Sequence, residues 1–191
     1  MAITKVSNSG IKSGMTKYDS FLAGNAAYDP GSYWLIERVT VGSGGASSIT
    51  FSSIPSGYKH LQIRASLKEP GGYVNNYIRF NSDTGTNYSN HYLDGTGSIV
   101  EAGAGTSTSA MALPVLGNQW GVAIVDILDY TNTNKYKTLR YLGGVDNNGS
   151  GYVDFGSGAW RNTNAITTVT LVSRFSGWAQ YSTAALYGIK G

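Results

Sequence analysis

The chain has no cysteine, which excludes disulfides and thiolate metal sites outright. Secreted domains of this size often carry bridges, so the absence fits assembly in a reducing compartment. Histidine is scarce as well. His60 and His91 are the two near-neutral bases, and each falls in a strand pattern with no serine or aspartate partner at a recognised spacing. Charge is thin: 13% of residues are Asp, Glu, Lys or Arg, and the net charge is +3. The basic residues form no stripe and no recognised module, which argues against nucleic acid as a partner. Their densest group, Lys135, Lys137 and Arg140, reads as an exposed strand face. The opening MAITKVSNSGIKSGMTKYD holds no apolar run, so neither a signal peptide nor a membrane-inserting helix is expected there.

What is present is glycine, with 26 residues, and tyrosine, with 14. Tyrosine and threonine favour pleated surfaces, and glycine with asparagine favours turns, so the composition is that of a loop-rich all-β domain. The chain is organised around ITFSSIPSGYKHLQIRASL, residues 49–67. Leu61, Ile63, Ala65 and Leu67 alternate there with His60, Gln62, Arg64 and Ser66, the period of a strand with one buried face. Ile49 and Phe51 place a shorter strand before the turn at Pro55 and Gly57. Further strands are expected over Tyr33 to Val41, Val74 to Phe80, Tyr88 to Leu93, Tyr136 to Leu142, Tyr152 to Phe155, Ile166 to Val172 and Thr183 to Ile189. Trp120 to Tyr130 is apolar on both parities, the pattern of a central strand buried on both faces. Gly42 to Gly45 reads as a hairpin connection, and residues 95–110 as a low-complexity surface excursion. Nine or ten short strands without a helical segment predict a two-sheet antiparallel β-sandwich, jelly-roll-like in topology.

Residues 1–32 differ in composition and are expected to form an extended arm, with the β-sandwich domain over 33–191. Phe21, Leu22 and Tyr28 are the side chains such an arm would bury on a neighbouring subunit. The alternative is a disordered leader.

Chemistry-bearing constellations are few. Asp126, Asp129, Asp146, Asp154 and Glu101 are carboxylates in number but not in a recognisable catalytic pair, so no enzyme activity, cofactor or metal is expected. Asn81 and Asp83 with Gly85 suggest the start of a calcium loop, yet glycine stands where a third ligand belongs and no glutamate closes it. The other reading of that loop is a set of side-chain-to-backbone turns. Tyr152, Trp160 and Trp178 are candidates for stacking on sugar rings, with burial in the core as the alternative for the two tryptophans.

Several segments resemble a widespread group of tailed-bacteriophage virion proteins. They are VTVGSGGA (39–46), ITFSSIP (49–55) with YKHLQIR (58–64), IRFNSDTGTNY (78–88), WRNTNAI (160–166) and LYGI (186–189), spanning about residues 33 to 190. Ser82 stands where the commoner form of the RFN motif has glycine. The resemblance implies a tail-fibre, tail or capsid-associated structural component, assembled in the host cytoplasm and located in the virion, with capsid or tail proteins as partners. Exposed sandwich edges then favour a homo-oligomer, often threefold in such particles. The competing expectation is a receptor-binding tail module that recognises host-surface glycans through loops such as 95–110 and 143–151.

Overall fold

The alternation over residues 60–67 does form a strand, and it lies inside the larger of two sheets. The computed structural model describes residues 33–191; Phe21, Leu22 and Tyr28 lie outside them. Twelve strands and no helix occur among the described residues. They are β1 (Tyr33–Thr40), β2 (Ser48–Phe51), β3 (His60–Leu67), β4 (Val74–Phe80), β5 (Tyr88–Gly95), β6 (Val100–Thr108), β7 (Met111–Leu116), β8 (Gly121–Leu128), β9 (Lys137–Asn147), β10 (Ser150–Trp160), β11 (Val169–Val172) and β12 (Thr183–Ile189). The eight-stranded sheet runs β1-β12-β3-β8-β9-β10-β5-β6 and the four-stranded sheet β2-β11-β4-β7. Residues 35–191 form one compact unit.

Apolar side chains from both sheets meet between them. Leu61, Ile63 and Leu67 of β3 face Ile127, Val125 and Gly121 of β8 in register, and all except the glycine join the core with Phe51, Ile78, Phe80 and Leu171. Burying each large apolar side chain contributes roughly 1.5–3 kcal/mol. The turn at Pro55 and Gly57 therefore joins strands in opposite sheets rather than in one hairpin. The same holds for Gly42 to Gly45, expected to close a hairpin. It carries the chain from β1 in one sheet to β2 in the other. Gly45 has φ 75°, and a Cβ there would lie 2.8 Å from the Trp178 carbonyl oxygen. Glycine meets both constraints at once.

Three strands depart from expectation. The MALPVL segment of β7 is buried at every position, although Pro114 argues against a strand. β7 lies at the edge of its sheet, and its pairing with β4 shifts register across Leu113 and Pro114, so the missing proline N–H falls at an irregularity of the ladder. Residues 95–110 are mostly the edge strand β6 rather than a loop. In β8, Ala123, Val125 and Ile127 are buried while Val122, Ile124 and Leu128 are exposed. The two-faced burial expected for this segment is replaced by one buried face, because the small sheet covers the large one on a single side.

The hairpin between β9 and β10 pairs Asn147 with Ser150. Its two-residue loop is Asn148-Gly149, with φ values of 49° and 92°. Left-handed conformations at both loop positions match the right-handed twist of the strands, and Asn-Gly tolerates them best.

Candidate functional site

The outer face of the eight-stranded sheet carries apolar side chains that no described element covers. Ile124 pairs with Leu142, Leu142 with Phe155 and Phe155 with Leu93, so four apolar residues form one row across β8, β9, β10 and β5. Val122 and Val153 flank it, both paired with Gly144. Exposure runs from 42% at Ile124 to 67% at Val153. Scattered surface leucines need no explanation, whereas a contiguous apolar band marks an interaction surface.

Polar residues border the band on one side. Asp126 accepts hydrogen bonds from Gln62 Nε2 at 2.7 Å and Arg140 Nε at 3.1 Å, and Arg64 Nε donates to Gln62 Oε1 at 2.9 Å. With each carboxylate oxygen engaged by one donor, Asp126 serves as a fastener between β3, β8 and β9. At one end of the band a groove of about 580 Å³ is lined by Thr96, Trp120, Asp146, Gly149 and Tyr152 among others. It draws on both segments expected to contact glycans, and Trp120 adds a half-exposed indole.

The sequence-predicted aromatics divide. Tyr152 lines the groove, its ring 5.5 Å from that of Tyr73. Trp160 and Trp178 are 1% and 0% exposed, so neither presents a face to a sugar. Their role is in the core: Trp178 Nε1 donates to the Leu171 carbonyl at 3.3 Å, and Trp160 packs on Phe80 and Tyr88.

The IRFNSDTGTNY and WRNTNAI segments meet in a single knot. Asp83 Oδ2 accepts from Trp160 Nε1 at 2.7 Å and Asn87 Nδ2 at 2.9 Å, while Oδ1 accepts from the Gly85 amide at 2.8 Å. Burial pushes the Asp83 carboxyl up, but these three donors outweigh it and hold it below the usual range. Asn81 Oδ1 accepts from the Thr167 and Thr168 amides, and its Nδ2 donates to the Ala165 carbonyl at 2.8 Å. The loop's oxygens are thus turned onto protein donors, the turn reading rather than the calcium one. Ser82 adopts φ 55°, so the tight turn forms with serine in place of glycine.

His60 and Asp129 also serve locally. His60 Nδ1 accepts from the Asp129 amide at 3.0 Å. Asp129 is held at about 2 by Lys135 and Lys59, which hydrogen-bond it. Lys137, expected on an exposed face, is 0% exposed. Its ammonium donates to the carbonyls of Asn132, Lys135 and Thr163, tying the turn before β9 to the segment after β10. Sequence patterning had no signal for that reversal, since the partners are backbone carbonyls, two in the adjoining turn and one, Thr163, beyond β10.

No protein-family profile, no curated protein and no solved structure matches this chain.

Proposed function

We propose that the chain is a structural subunit of a bacteriophage particle, a surface-exposed decoration or fibre module that docks through residues 1–32 and assembles with copies of itself. The observation that carries this reading is the open apolar band of Ile124, Leu142, Phe155 and Leu93, which a neighbouring subunit would remove from water. The segment resemblance supplies the particle. We read the sandwich as a jelly roll: β1-β12-β3-β8 and β2-β11-β4-β7 form two four-stranded layers, the chain crossing between them at β1 to β2, β2 to β3, β3 to β4, β7 to β8 and β11 to β12. On this reading β9, β10, β5 and β6 extend one layer, and the band lies largely on that extension.

The test is the copy number per particle, by quantitative mass spectrometry against the major capsid protein of the phage that encodes the chain. A Leu142→Lys/Phe155→Lys chain is expected to incorporate at least about tenfold less, with its stability changed little, as for other surface substitutions. Loss of incorporation on deleting residues 1–32 is expected for the same particles. Wild-type levels of the double variant would reject the band as an assembly surface.

A second reading rests on the groove beside Trp120 and Tyr152. Aromatic platforms beside polar loop atoms suit sugar rings, which favours a host-glycan receptor module. Wild-type binding on a host-glycan array, lost in Trp120→Ala, is its expected result. Silence across the array removes it.

A further inference from the structure

Behind the open face, the same strands carry a row of acids turned toward the other sheet. Asp154 on β10 pairs in register with Asp94 on β5, and Asp94 with Glu101 on β6. Burial fades along the row: Asp154 is 0% exposed, Asp94 6%, and Glu101 is at the surface. Asp154 Oδ2 accepts from the Val115 amide of β7 at 2.9 Å. Its Oδ1 has no partner, nor has Asp94 Oδ1. Among the described residues neither carboxylate pairs with a lysine, arginine or histidine.

Three more buried polar atoms without a partner belong to residues around this pair. The Tyr141 ring lies across Gly156, two residues along β10 from Asp154, with the hydroxyl 2.4 Å from where a Gly156 Cβ would stand. That hydroxyl feels the charges of both Asp154 and Asp94 and lies close enough to Asp154 to steady its carboxylate, yet it makes no hydrogen bond of normal geometry. Asn75, whose Nδ2 is unpartnered, faces Val115 across β4 and β7. Tyr73, with an unpartnered hydroxyl, packs on Tyr152, two residues before Asp154. One isolated orphan is unremarkable, but the four unpartnered oxygens at one end of the sandwich indicate a common missing partner; the Asn75 amide nitrogen, a donor, stands outside that count. Two adjacent buried carboxylates specify its sign, because uncompensated buried charge is costly.

We propose that Asp94 and Asp154, with the Tyr141 hydroxyl, hold a hard divalent cation of the calcium type between the two sheets. All the candidate donors are oxygens, the preference of calcium, and calcium accepts irregular coordination completed by water. Two carboxylates, without a third acidic or histidine ligand, place the affinity in the weak class, at a Kd of about 10⁻⁴–10⁻³ M. The ion would cross-link β10 and β5 at the point where the small sheet stops covering them. This inference is independent of the outer band and of the particle assignment.

The experiment uses the full chain, stripped with chelator and returned to about neutral pH. Calcium at about a hundredfold over Kd is expected to raise the melting temperature by about 5–10 °C, with sodium chloride of equal ionic strength giving no such rise. Terbium, used as a luminescent probe for calcium, is expected to show emission sensitised by nearby aromatic side chains. Asp94→Asn is expected to abolish both signals, and so is Asp154→Asn, whose amide oxygen still accepts from Val115; circular dichroism confirms that each variant is folded. A wild-type chain with neither signal overturns the proposal. So do calcium responses that survive in both variants, which would place the ion elsewhere.

Discussion

Replacing Trp160 with alanine is expected to bring the domain to the brink of unfolding. The indole is 1% exposed, with its ring centroid 5.8 Å from that of Phe80 and 6.3 Å from that of Tyr88. Removing a buried tryptophan costs about 3–5 kcal/mol in transfer and cavity terms. Asp83 would also lose the 2.7 Å bond from Nε1, and losing a partner costs a semi-buried carboxylate about 1–3 kcal/mol more. Against a total stability of about 5–15 kcal/mol, that loss is decisive. Urea denaturation should show the midpoint falling by at least about 1.5 M, taking a slope of about 2 kcal/mol/M. Trp160→Phe separates the terms, since it keeps most of the ring and loses the N–H. Its expected loss is the smaller one, about 1–3 kcal/mol. A Trp160→Ala chain as stable as wild type would mean that the knot joining β4, β5 and β10 does not hold the sandwich.

That knot shows how a recognisable motif and a functional site come apart. The segments carrying the resemblance, Asn81 to Tyr88 and Trp160 to Ile166, are spent on one another. Asn81 holds Ala165, Thr167 and Thr168, and Tyr88 Oη accepts from the Phe80 amide. The apolar row of the outer face, by contrast, lies in stretches that carry no motif.

Much of the fold was legible because alternation is a local signal. β3 and β4 follow the period-two alternation of their sequences, and the buried parity of β3 is the one expected. The failures are those where a neighbour decides. Both parities of β8 are apolar, so nothing local says that Val122 and Ile124 lack a covering layer. Lys137 reads as exposed until the distant carbonyl of Thr163 is brought beside it. Glu69 is likewise 0% exposed, clamping the Gly71 and Ser176 amides. Asp94 and Asp154 are ordinary polar residues at sixty positions' separation, and only the β5–β10 register makes them a pair.

The pair leads to the second large effect, a dependence of stability on pH that runs opposite to that of most carboxylates. Burial first, and then the charge of Asp94, push the Asp154 carboxyl up to about 6 from 3.8, with the Val115 amide and Tyr141 opposing. Asp94 is raised too, by burial and by Glu101. Beyond these, Tyr141 is the titratable group facing the pair from β9, itself pushed up by burial and by both acids; β7 contributes the Val115 amide. A raised folded-state value means that the folded protein holds the proton more tightly than the unfolded chain. The associated stability is fully present below 3.8 and is lost as pH rises through about 6. At 1.36 kcal/mol per unit, that loss amounts to about 3 kcal/mol. Asp154→Asn removes the titration while keeping an acceptor for Val115. In chelator at about pH 8 the variant should therefore be more stable than wild type by about 2–3 kcal/mol, and at about pH 4 the difference should vanish. Adding calcium should shrink or reverse the advantage at pH 8, because the ion stabilises the paired carboxylates that the variant lacks. Urea melts of both chains across this range give the answer. A variant less stable than wild type at pH 8 in chelator would mean that the Asp154 carboxylate is already compensated within the protein, and the pair would then need neither a proton nor a cation.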